Sequence, residues 1–215
     1  MFAEIWYRAV YDVPHVSVRP GDLVIDIGAN HGFFALYAAG KGARVYAFEP
    51  SPTVFKRLED NIRSNGLEEH ITARPWAISG KSGEAQLMVT ERLGGGMSTI
   101  HEDFAERTKI PITERVAVEC HTLSEVVEMF GLAAVRRCKI DAEGSELTIL
   151  KALEREDRAR FESIVLEYHS EAYRVQDLFS ELIAWGSHQI SLIDESEFSG
   201  NVLRVVSNES LMRAV

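Results

Sequence analysis

An alternation of short apolar segments with segments of helical periodicity restricts the fold more than any other feature of the sequence. Four of the apolar segments, at residues 24–27, 44–50, 136–144 and 163–169, carry acidic residues near their C-terminal ends. Strands that alternate with helices predict an α/β fold with a mostly parallel sheet. Because ligands of open α/β sheets bind outside the carboxyl ends of the strands, the acidic residues predict a binding site at that edge.

The remaining pattern indicates one domain with an insertion. Residues 71–79 are predicted as a third strand, and residues 188–194 and 201–208 as an antiparallel pair at the sheet edge. Residues 81–90 and 115–123 alternate like exposed antiparallel strands, and a glycine run lies between them at residues 92–100. We therefore expect a single domain over residues 1–215 with an inserted arm at about 80–123. The glycine run is either a plain linker or a substrate lid.

Composition argues against several classes of protein. The chain has 215 residues, 46% of them hydrophobic, and a formal net charge of −10, which disfavours nucleic acid as a partner. Its apolar runs are far shorter than the about 20 residues that a membrane-spanning helix needs. The N-terminus does not resemble a signal peptide, so we expect a cytoplasmic protein. Cys120 and Cys138 form no zinc or redox motif and are predicted as buried free thiols.

The stretch "VIDIGANHGFF" predicts a nucleoside site. Its turn has the spacing D-x-G-x-N-x-G, with Asp26, Gly28, Asn30 and Gly32, and Glu49 ends the next strand, where an acid can accept both ribose hydroxyls. A dinucleotide turn needs G-x-G-x-x-G, and its middle glycine is absent here. The extra carboxylate suits a cationic ligand better than a phosphate. These features favour S-adenosylmethionine over a nicotinamide cofactor, although an oxidoreductase and a non-catalytic nucleoside-binding module remain alternatives.

The stretches "VIDIGANHGFFALYAA", "VYAFEPSPTVFKRLEDNIRSNGL", "KIDAEGSELTILKAL" and "VLEYH", between residues 21 and 169, resemble the FkbM-type class I methyltransferases. The resemblance implies a Rossmann-like, doubly wound sheet of seven strands with the last strand antiparallel. It also implies a cofactor over the first two strand ends, and O-methylation of hydroxyls on small molecules such as natural products or sugars. N-methylation and carboxyl methylation by the same fold remain open, as do the substrate and the oligomeric state. The arm is least alike, so substrate choice is expected to differ there.

For the cofactor we expect contacts along the first three strand ends. Asp26 is predicted near the ammonium of the cofactor's tail, and Asn30 either caps the helix or binds that tail. Glu49 is predicted to bind the ribose, and Trp76 is either an adenine neighbour or a core aromatic. The full predicted cofactor set is Asp26, Gly28, Asn30, Gly32, Glu49, Pro50, Ser51, Trp76, Ala77 and Asp141.

The predicted catalytic residues are His169, Asp141 and Glu143. Histidine is the natural base near neutral pH, and His169 follows the fifth strand, where a substrate would lie. Glu167 either orients the imidazole or pairs with the backbone, whereas His31 and His121 are weaker candidates for the base. Asp141 and Glu143 either place the reactants or cap the following helix. Together with His169 they could also bind a metal, but the family resemblance argues against one, and no metal is expected.

Overall fold

The computed structural model describes Tyr11 and residues 16–90, 97–186, 188–192 and 202–212. Seven strands form the main sheet and three form a smaller one. In chain order the strands are β1 Leu23–Ile27, β2 Arg44–Phe48, β3 Ile71–Arg74, β4 Trp76–Ile78, β5 Gly83–Val89, β6 Glu114–His121, β7 Arg137–Ile140, β8 Ser163–Glu167, β9 His188–Leu192 and β10 Val202–Ser207. The helices are α1 Phe33–Gly40, α2 Pro52–Ser64, α3 Glu102–Thr108, α4 Leu123–Met129, α5 Glu146–Ala152, α6 Arg155–Arg158, α7 Val175–Ala184 and α8 Asn208–Met212.

The main sheet has the order β3-β2-β1-β7-β8-β10-β9. β10 is antiparallel to both of its neighbours. The other five strands, β3, β2, β1, β7 and β8, are parallel to one another. The prediction of a Rossmann-like, seven-stranded, mostly parallel sheet with an antiparallel last strand is therefore confirmed. Strands β2 and β3 are added on one side of β1, and β7 and β8 on the other, so the strand order reverses between β1 and β7. The carboxyl ends of these two parallel strands therefore form a switch point at which ligands bind in such folds.

Alternating side chains of the strands divide the core between the two faces of the sheet. Val24 lies on the face covered by α1 and α2, and Ile25 lies on the face covered by α4, α5 and α7. This alternation follows from the two-residue period of a strand, and central strands that are covered on both sides need apolar residues at nearly every position. On α2, Val54, Leu58 and Ile62 recur at helical spacing and are buried, and Phe55 is partly buried beside them.

The predicted third strand over residues 71–79 is wrong as a single element. The chain leaves the main sheet at Pro75, which has no amide hydrogen for a sheet bond. Before it, β3 pairs with β2; after it, β4 joins a second sheet of order β4-β6-β5. The antiparallel pairing of β5 with β6 agrees with the prediction for the arm, but Leu87 and Val118 are buried rather than exposed.

The inserted arm also contains α3, which the sequence pattern did not reveal. Residues just before α3 join the arm to the main sheet, because Thr99 Oγ1 donates to the Glu143 carbonyl at 2.7 Å and His101 Nε2 lies 2.8 Å from Ser145 Oγ. Phe104 of α3 packs edge-on against the His169 ring. The arm therefore lies over the carboxyl ends of β7 and β8.

Some predicted features lie outside the described residues, namely the N-terminal residues 1–10, residues 92–96 of the glycine run, and residues 193–194 and 201 of the last two predicted strands. Both cysteines, Cys120 and Cys138, are buried and free, as predicted. Within the described part of the chain, no helix has the length and apolar character needed to cross a membrane.

Candidate active site

The turn after β1 brings the backbone of Gly28 against the end of β7. A Cβ at Gly28 would overlap the carbonyl oxygen of Asp141, and the φ of +68° is itself one that favours glycine. Asn30 also has a positive φ, of 52°, and its Oδ1 accepts from the amide of His31 at 2.7 Å. Gly32 follows with a φ of +85° as the residue before α1. Asn30 thus shapes the turn and does not cap α1.

Glu49 follows β2 and is held by the neighbouring backbone. Its Oε2 accepts from the Asn30 amide and its Oε1 from the Ser51 amide, both at 2.9 Å. The carboxylate therefore joins the turn after β1 to the start of α2. Burial raises the pKa of Glu49 to about 7, although the two backbone hydrogen bonds oppose this change. Each carboxylate oxygen retains a lone pair that can accept from a ligand hydroxyl.

A cavity opens above the carboxyl ends of β1, β2 and β7 and is closed on its far side by the arm. Seven of the predicted cofactor residues line it: Gly28, Asn30, Glu49, Pro50, Trp76, Ala77 and Asp141. The predicted catalytic Glu143 lines it too, as do Ser98, Thr99 and Ile100 of the arm. Trp76 also stacks on Phe48 with ring centroids 6.0 Å apart, so both roles considered for it are compatible with its position.

Three predicted cofactor residues are not part of this cavity lining. Ser51 is fully buried and donates its amide to Glu49, and Gly32 lies against the side chain of Leu58. Asp26 is fully buried in β1, where its Oδ1 lies 3.1 Å from Lys139 Nζ. Burial raises the pKa of Asp26 against the opposing effect of Lys139. The predicted contacts of these residues with the cofactor stay predictions.

Sequence reasoning missed Lys139, which is buried in β7 opposite Asp26 of β1. Its Nζ donates to the carbonyls of Ile27 at 3.3 Å and Gly28 at 2.8 Å and lies 3.7 Å from Asp141 Oδ2. Lys139 therefore joins the end of β1 to the end of β7. The available signal was a lysine within a strand whose four residues, RCKI, are all buried, because a buried lysine requires an acidic partner.

His169 lies two residues beyond β8, between two carboxylates. Its Nδ1 is 3.0 Å from Glu146 Oε1 and its Nε2 is 3.3 Å from Glu143 Oε2. Burial alone would lower the pKa of His169, but the hydrogen bond to Glu146 and the negative charges around the ring raise it to about 10. The imidazole is therefore protonated at neutral pH, and as a lone base it would first have to lose a proton.

Glu143 is the member of this group that lines the cavity. Burial, followed by the charge of Asp141, raises the pKa of Glu143 to about 8, and the same two causes raise the pKa of Glu167 to about 7. Glu143 also has a positive φ, of 45°, which is strained for a residue with a side chain. The site therefore holds carboxyl groups that take up protons near neutral pH.

The carboxylate at the His169 Nδ1 is that of Glu146, so Glu167 does not have the first of the two roles considered for it, which was to orient the imidazole. Glu146 begins α5 and is fully buried, and Tyr173 OH donates to its Oε2 at 2.9 Å. Sequence reasoning missed both Glu146 and Tyr173. The sequence "EGSE" shows a second acid at a helix start. Such an acid is common at that position, so the sequence alone did not mark Glu146 as the partner of a histidine.

The two weaker candidates for the base lie elsewhere. His31 contacts Arg57 and Phe33, and burial followed by the charge of Arg57 lowers its pKa. His121 pairs with Glu119 at 2.9 Å and packs on Trp76. Neither lines the cavity. By contrast, Asp141, Glu143 and His169 are brought together, with one ligand atom from each lying within 4.8 Å of the others.

Comparison with known proteins finds methyltransferases among the relatives of this chain. The chain is 29% identical to the 31-O-demethyl-FK506 methyltransferase FkbM of Streptomyces tacrolimicus, over 96% of this chain and 88% of that protein. It is 26% identical to the methyltransferase sdnD of Sordaria araneosa, over 90% of this chain and 87% of that protein.

Solved structures share the fold. The methyltransferase FkbM from Methylobacillus flagellatus superposes with a TM-score of 0.60 at 15% identity, over 93% of this chain but only 49% of that one. This chain thus spans about half the length of that structure. The precorrin-6y C5,15-methyltransferase of Geobacter metallireducens superposes with a TM-score of 0.51 at 16% identity, over 93% of this chain and 85% of that one. The model of the methyltransferase FkbM domain matches residues 26–189, which is more than half of the chain, and the chain therefore belongs to the FkbM methyltransferase family.

Proposed function

We propose that this protein transfers a methyl group from S-adenosylmethionine to a hydroxyl of a small molecule. The observation that carries the proposal is the position of Glu143. Its carboxyl lines the same cavity as Glu49, and His169 Nε2 lies 3.3 Å from its Oε2. One cavity thus combines an acceptor for ribose hydroxyls with a group that can take a proton from a substrate hydroxyl. The named methyltransferase relatives support this reading, and a natural product or a sugar fits it.

The donor set of the cavity fits the cofactor. Glu49 would hold the ribose, and Pro50, Trp76 and Ala77 would border the adenine. The ionisable groups among the described lining residues, Glu49, Asp141 and Glu143, are all acidic, which suits a cationic ligand. When bound, S-adenosylmethionine supplies an electrophilic methyl group. The chain's own contribution is alignment, which can provide roughly 7–11 kcal/mol of the barrier, and removal of a proton.

Proton removal belongs to the Glu143–His169 pair rather than to His169 alone. Both imidazole nitrogens face carboxylates, so the ring already carries its protons and Glu143 is the group free to accept another. The raised pKa of Glu143, about 8, suits a general base near neutral pH. His169 stabilises the carboxylate form and holds it toward the cavity, and Asp141 helps to place the acceptor.

The charges of the site favour a hydroxyl over a carboxylate as the methyl acceptor. An anionic acceptor would lie beside Asp141 and Glu143, where like charges repel and burial strengthens the repulsion. A neutral hydroxyl can instead donate to either carboxylate. An amine is the second candidate, because its cationic form would be attracted to the same acids.

The same charges argue against a required metal at Asp141, Glu143 and His169. Lys139 Nζ already lies 3.7 Å from Asp141, and the His169 ring already faces Glu143. Two cations therefore offset part of the negative charge that would attract a metal ion. We propose that methyl transfer needs no divalent cation, and loss of activity on chelation would contradict this.

Calorimetric titration with S-adenosylmethionine tests the cofactor assignment. We expect binding to the wild type and a loss of about 10- to 150-fold in affinity for Glu49→Ala, the equivalent of about 1.5–3 kcal/mol for a hydrogen bond to a charged group. Glu128→Ala, at an exposed position of α4, is the matched control and should bind like the wild type. Circular dichroism checks that Glu49→Ala is folded.

The same titration separates the rival functions. Binding of a nicotinamide cofactor in place of S-adenosylmethionine would make the protein an oxidoreductase and overturn the proposal. For the acceptor, mixtures of small alcohols, sugars, amines and carboxylic acids are incubated with radiolabelled cofactor, with and without a chelator. Label on a hydroxyl is the expected result, label on an amine selects the second candidate, and binding without transfer to any mixture would indicate a non-catalytic nucleoside-binding module.

A further inference from the structure

Glu146 has more partners than a helix-capping acid requires. Its Oε1 accepts from His169 Nδ1 at 3.0 Å and from the amides of Ala142 and Gly144, both at 3.1 Å. Its Oε2 accepts from Tyr173 OH at 2.9 Å. The carboxylate is fully buried, so it depends on these four donors in place of water. A buried carboxylate with four hydrogen-bond donors restricts the positions of the groups that donate to it.

Two of these donors hold the backbone on either side of Glu143. The amides of Ala142 and Gly144 converge on the Glu146 carboxylate, and the Glu143 carbonyl accepts from Thr99 on the opposite side. Glu143 itself has a φ of 45°, a conformation that persists only where the surroundings impose it. Glu146 therefore imposes the turn that presents Glu143 to the cavity.

The third donor is the imidazole of His169. Glu146 lies at Nδ1 and Glu143 at Nε2. By binding Nδ1, Glu146 leaves Nε2 as the ring nitrogen that faces Glu143 and the cavity. Phe104 packs on the ring edge and Tyr173 OH accepts from the His169 amide at 3.4 Å, which limits rotation of the ring. The titratable and charged groups around His169 are Asp141, Glu143, Glu146, Glu167, Tyr173 and, one step further through Glu146, His101.

We propose that Glu146 is the positioning residue of this site: its carboxylate keeps the proton on His169 Nδ1, directs Nε2 to Glu143, and holds the turn that carries Glu143. Tyr173 supports this arrangement by fixing Oε2 of Glu146. The role in catalysis rests on the function proposed above, whereas the role in setting the protonation of His169 does not. The two can be tested separately.

The first test uses the protein without any ligand. The chain has seven histidines, and ¹⁵N labelling of them, with His169→Gln to assign the signals, gives the protonation of each ring nitrogen as a function of pH. In the wild type we expect His169 to keep a proton on Nδ1 over the whole titration. A neutral ring with its proton on Nε2 would overturn the proposal, and this outcome does not require any variant of Glu146 to fold.

Variants of Glu146 then test the cause. In Glu146→Gln the pKa of His169 is expected to fall from about 10 toward its ordinary value of 6.5, because the ring loses the negative charge at Nδ1. Glu146→Asp keeps the charge and should retain part of the effect. Glu128→Gln, on the surface of α4, is the control and should leave the titration unchanged. An unchanged titration in folded Glu146→Gln would contradict the proposal.

Activity separates positioning from folding and from the proposed function. With an acceptor found by the screen, Glu146→Gln is expected to lower kcat by about 10- to 100-fold while the affinity for S-adenosylmethionine stays within about twofold, and Glu146→Asp should recover part of the rate. Equal loss of rate in both folded variants would exclude the charge as the cause. If the NMR result holds but no acceptor is methylated, the proposed function fails and the positioning of His169 stands.

Discussion

At the scale of single residues, the site is defined by an excess of buried acids over buried bases. Lys139 and His169 are the two cations that the contacts of this site reveal, and each lies between two carboxylates. Ionised acids without a counter-charge are costly in such surroundings, so protons are retained instead. This explains why burial raises the pKa of Glu49 and Glu143 well above the ordinary range of glutamates.

The raised pKa of Glu143 predicts a pH dependence of the reaction. Proton acceptance needs the ionised carboxylate, so kcat/KM is expected to fall about tenfold for each pH unit below about 8 and to level off above it. Glu143→Gln should lose about 10²- to 10⁴-fold in kcat, the usual contribution of a positioned base. The rate is measured from pH 6 to 9 at saturating cofactor with an acceptor from the screen.

Binding measurements provide the control for that experiment. Calorimetry on Glu143→Gln should give cofactor affinity close to that of the wild type, since Glu143 is assigned to the acceptor and not to the ribose. A rate that stays constant from pH 6 to 9, or full activity of Glu143→Gln, would remove Glu143 from the mechanism and return attention to Asp141.

The sequence predicted the cavity residues better than the residues behind them. Gly28, Glu49 and Asp141 follow strands, and strand ends can be located from apolar runs and turn signals. Lys139 and Glu146 act through partners 113 and 23 positions away in the chain, Asp26 and His169. Such contacts arise only when β1 meets β7 and α5 meets the end of β8, and a local pattern does not encode them.

At the scale of elements, the junction of β1 with β7 depends on a glycine. A side chain at Gly28 would meet the backbone of Asp141, so one of the two strand ends would have to move. Gly66, after α2, has a similar φ of +65° but open space around it. Gly66→Ala should lower the free energy of unfolding only by the conformational penalty, about 1–2 kcal/mol. Gly28→Ala should lower it by about 1–3 kcal/mol more, because the new Cβ overlaps the backbone of Asp141.

Urea unfolding of Gly28→Ala and Gly66→Ala measures this difference directly. Calorimetry on the same two proteins should show weaker binding of S-adenosylmethionine for Gly28→Ala alone, because only that substitution displaces the turn beside the cavity. Equal stabilities and equal affinities would mean that the close approach of Gly28 to Asp141 has no consequence.

Errors of prediction at this scale have local physical causes. The run 71–79 has strand composition throughout, and a proline within it signals a break without indicating which sheet each half joins. α3 is short, and its helical pattern is hidden within an arm that otherwise alternates like strands. By contrast, β1, β2, β7 and β8 of the main sheet correspond to the predicted apolar segments 24–27, 44–50, 136–144 and 163–169.

At the scale of the whole molecule, the arm and the main sheet share the site. Trp76 of the small sheet stacks on Phe48 of β2, and His101 contacts Ser145 at the start of α5. The cavity is lined from both sides, by Thr99 of the arm and by Glu143 of the main sheet. Opening one part would therefore expose apolar surface and buried acids of the other, which favours unfolding as one unit.

Differential scanning calorimetry tests whether the chain is the single domain that we expect. One transition is predicted, with equal calorimetric and van't Hoff enthalpies, since the arm and the main sheet lose their shared contacts together. His101→Ala removes the hydrogen bond to the buried Ser145, a loss of about 0.5–1.5 kcal/mol, and should lower the Tm of that one transition by a few degrees. The exposed His70→Ala is the control and should leave Tm unchanged. Two resolved transitions, with His101→Ala moving only one of them, would instead make the arm a separate folding unit that docks over the site.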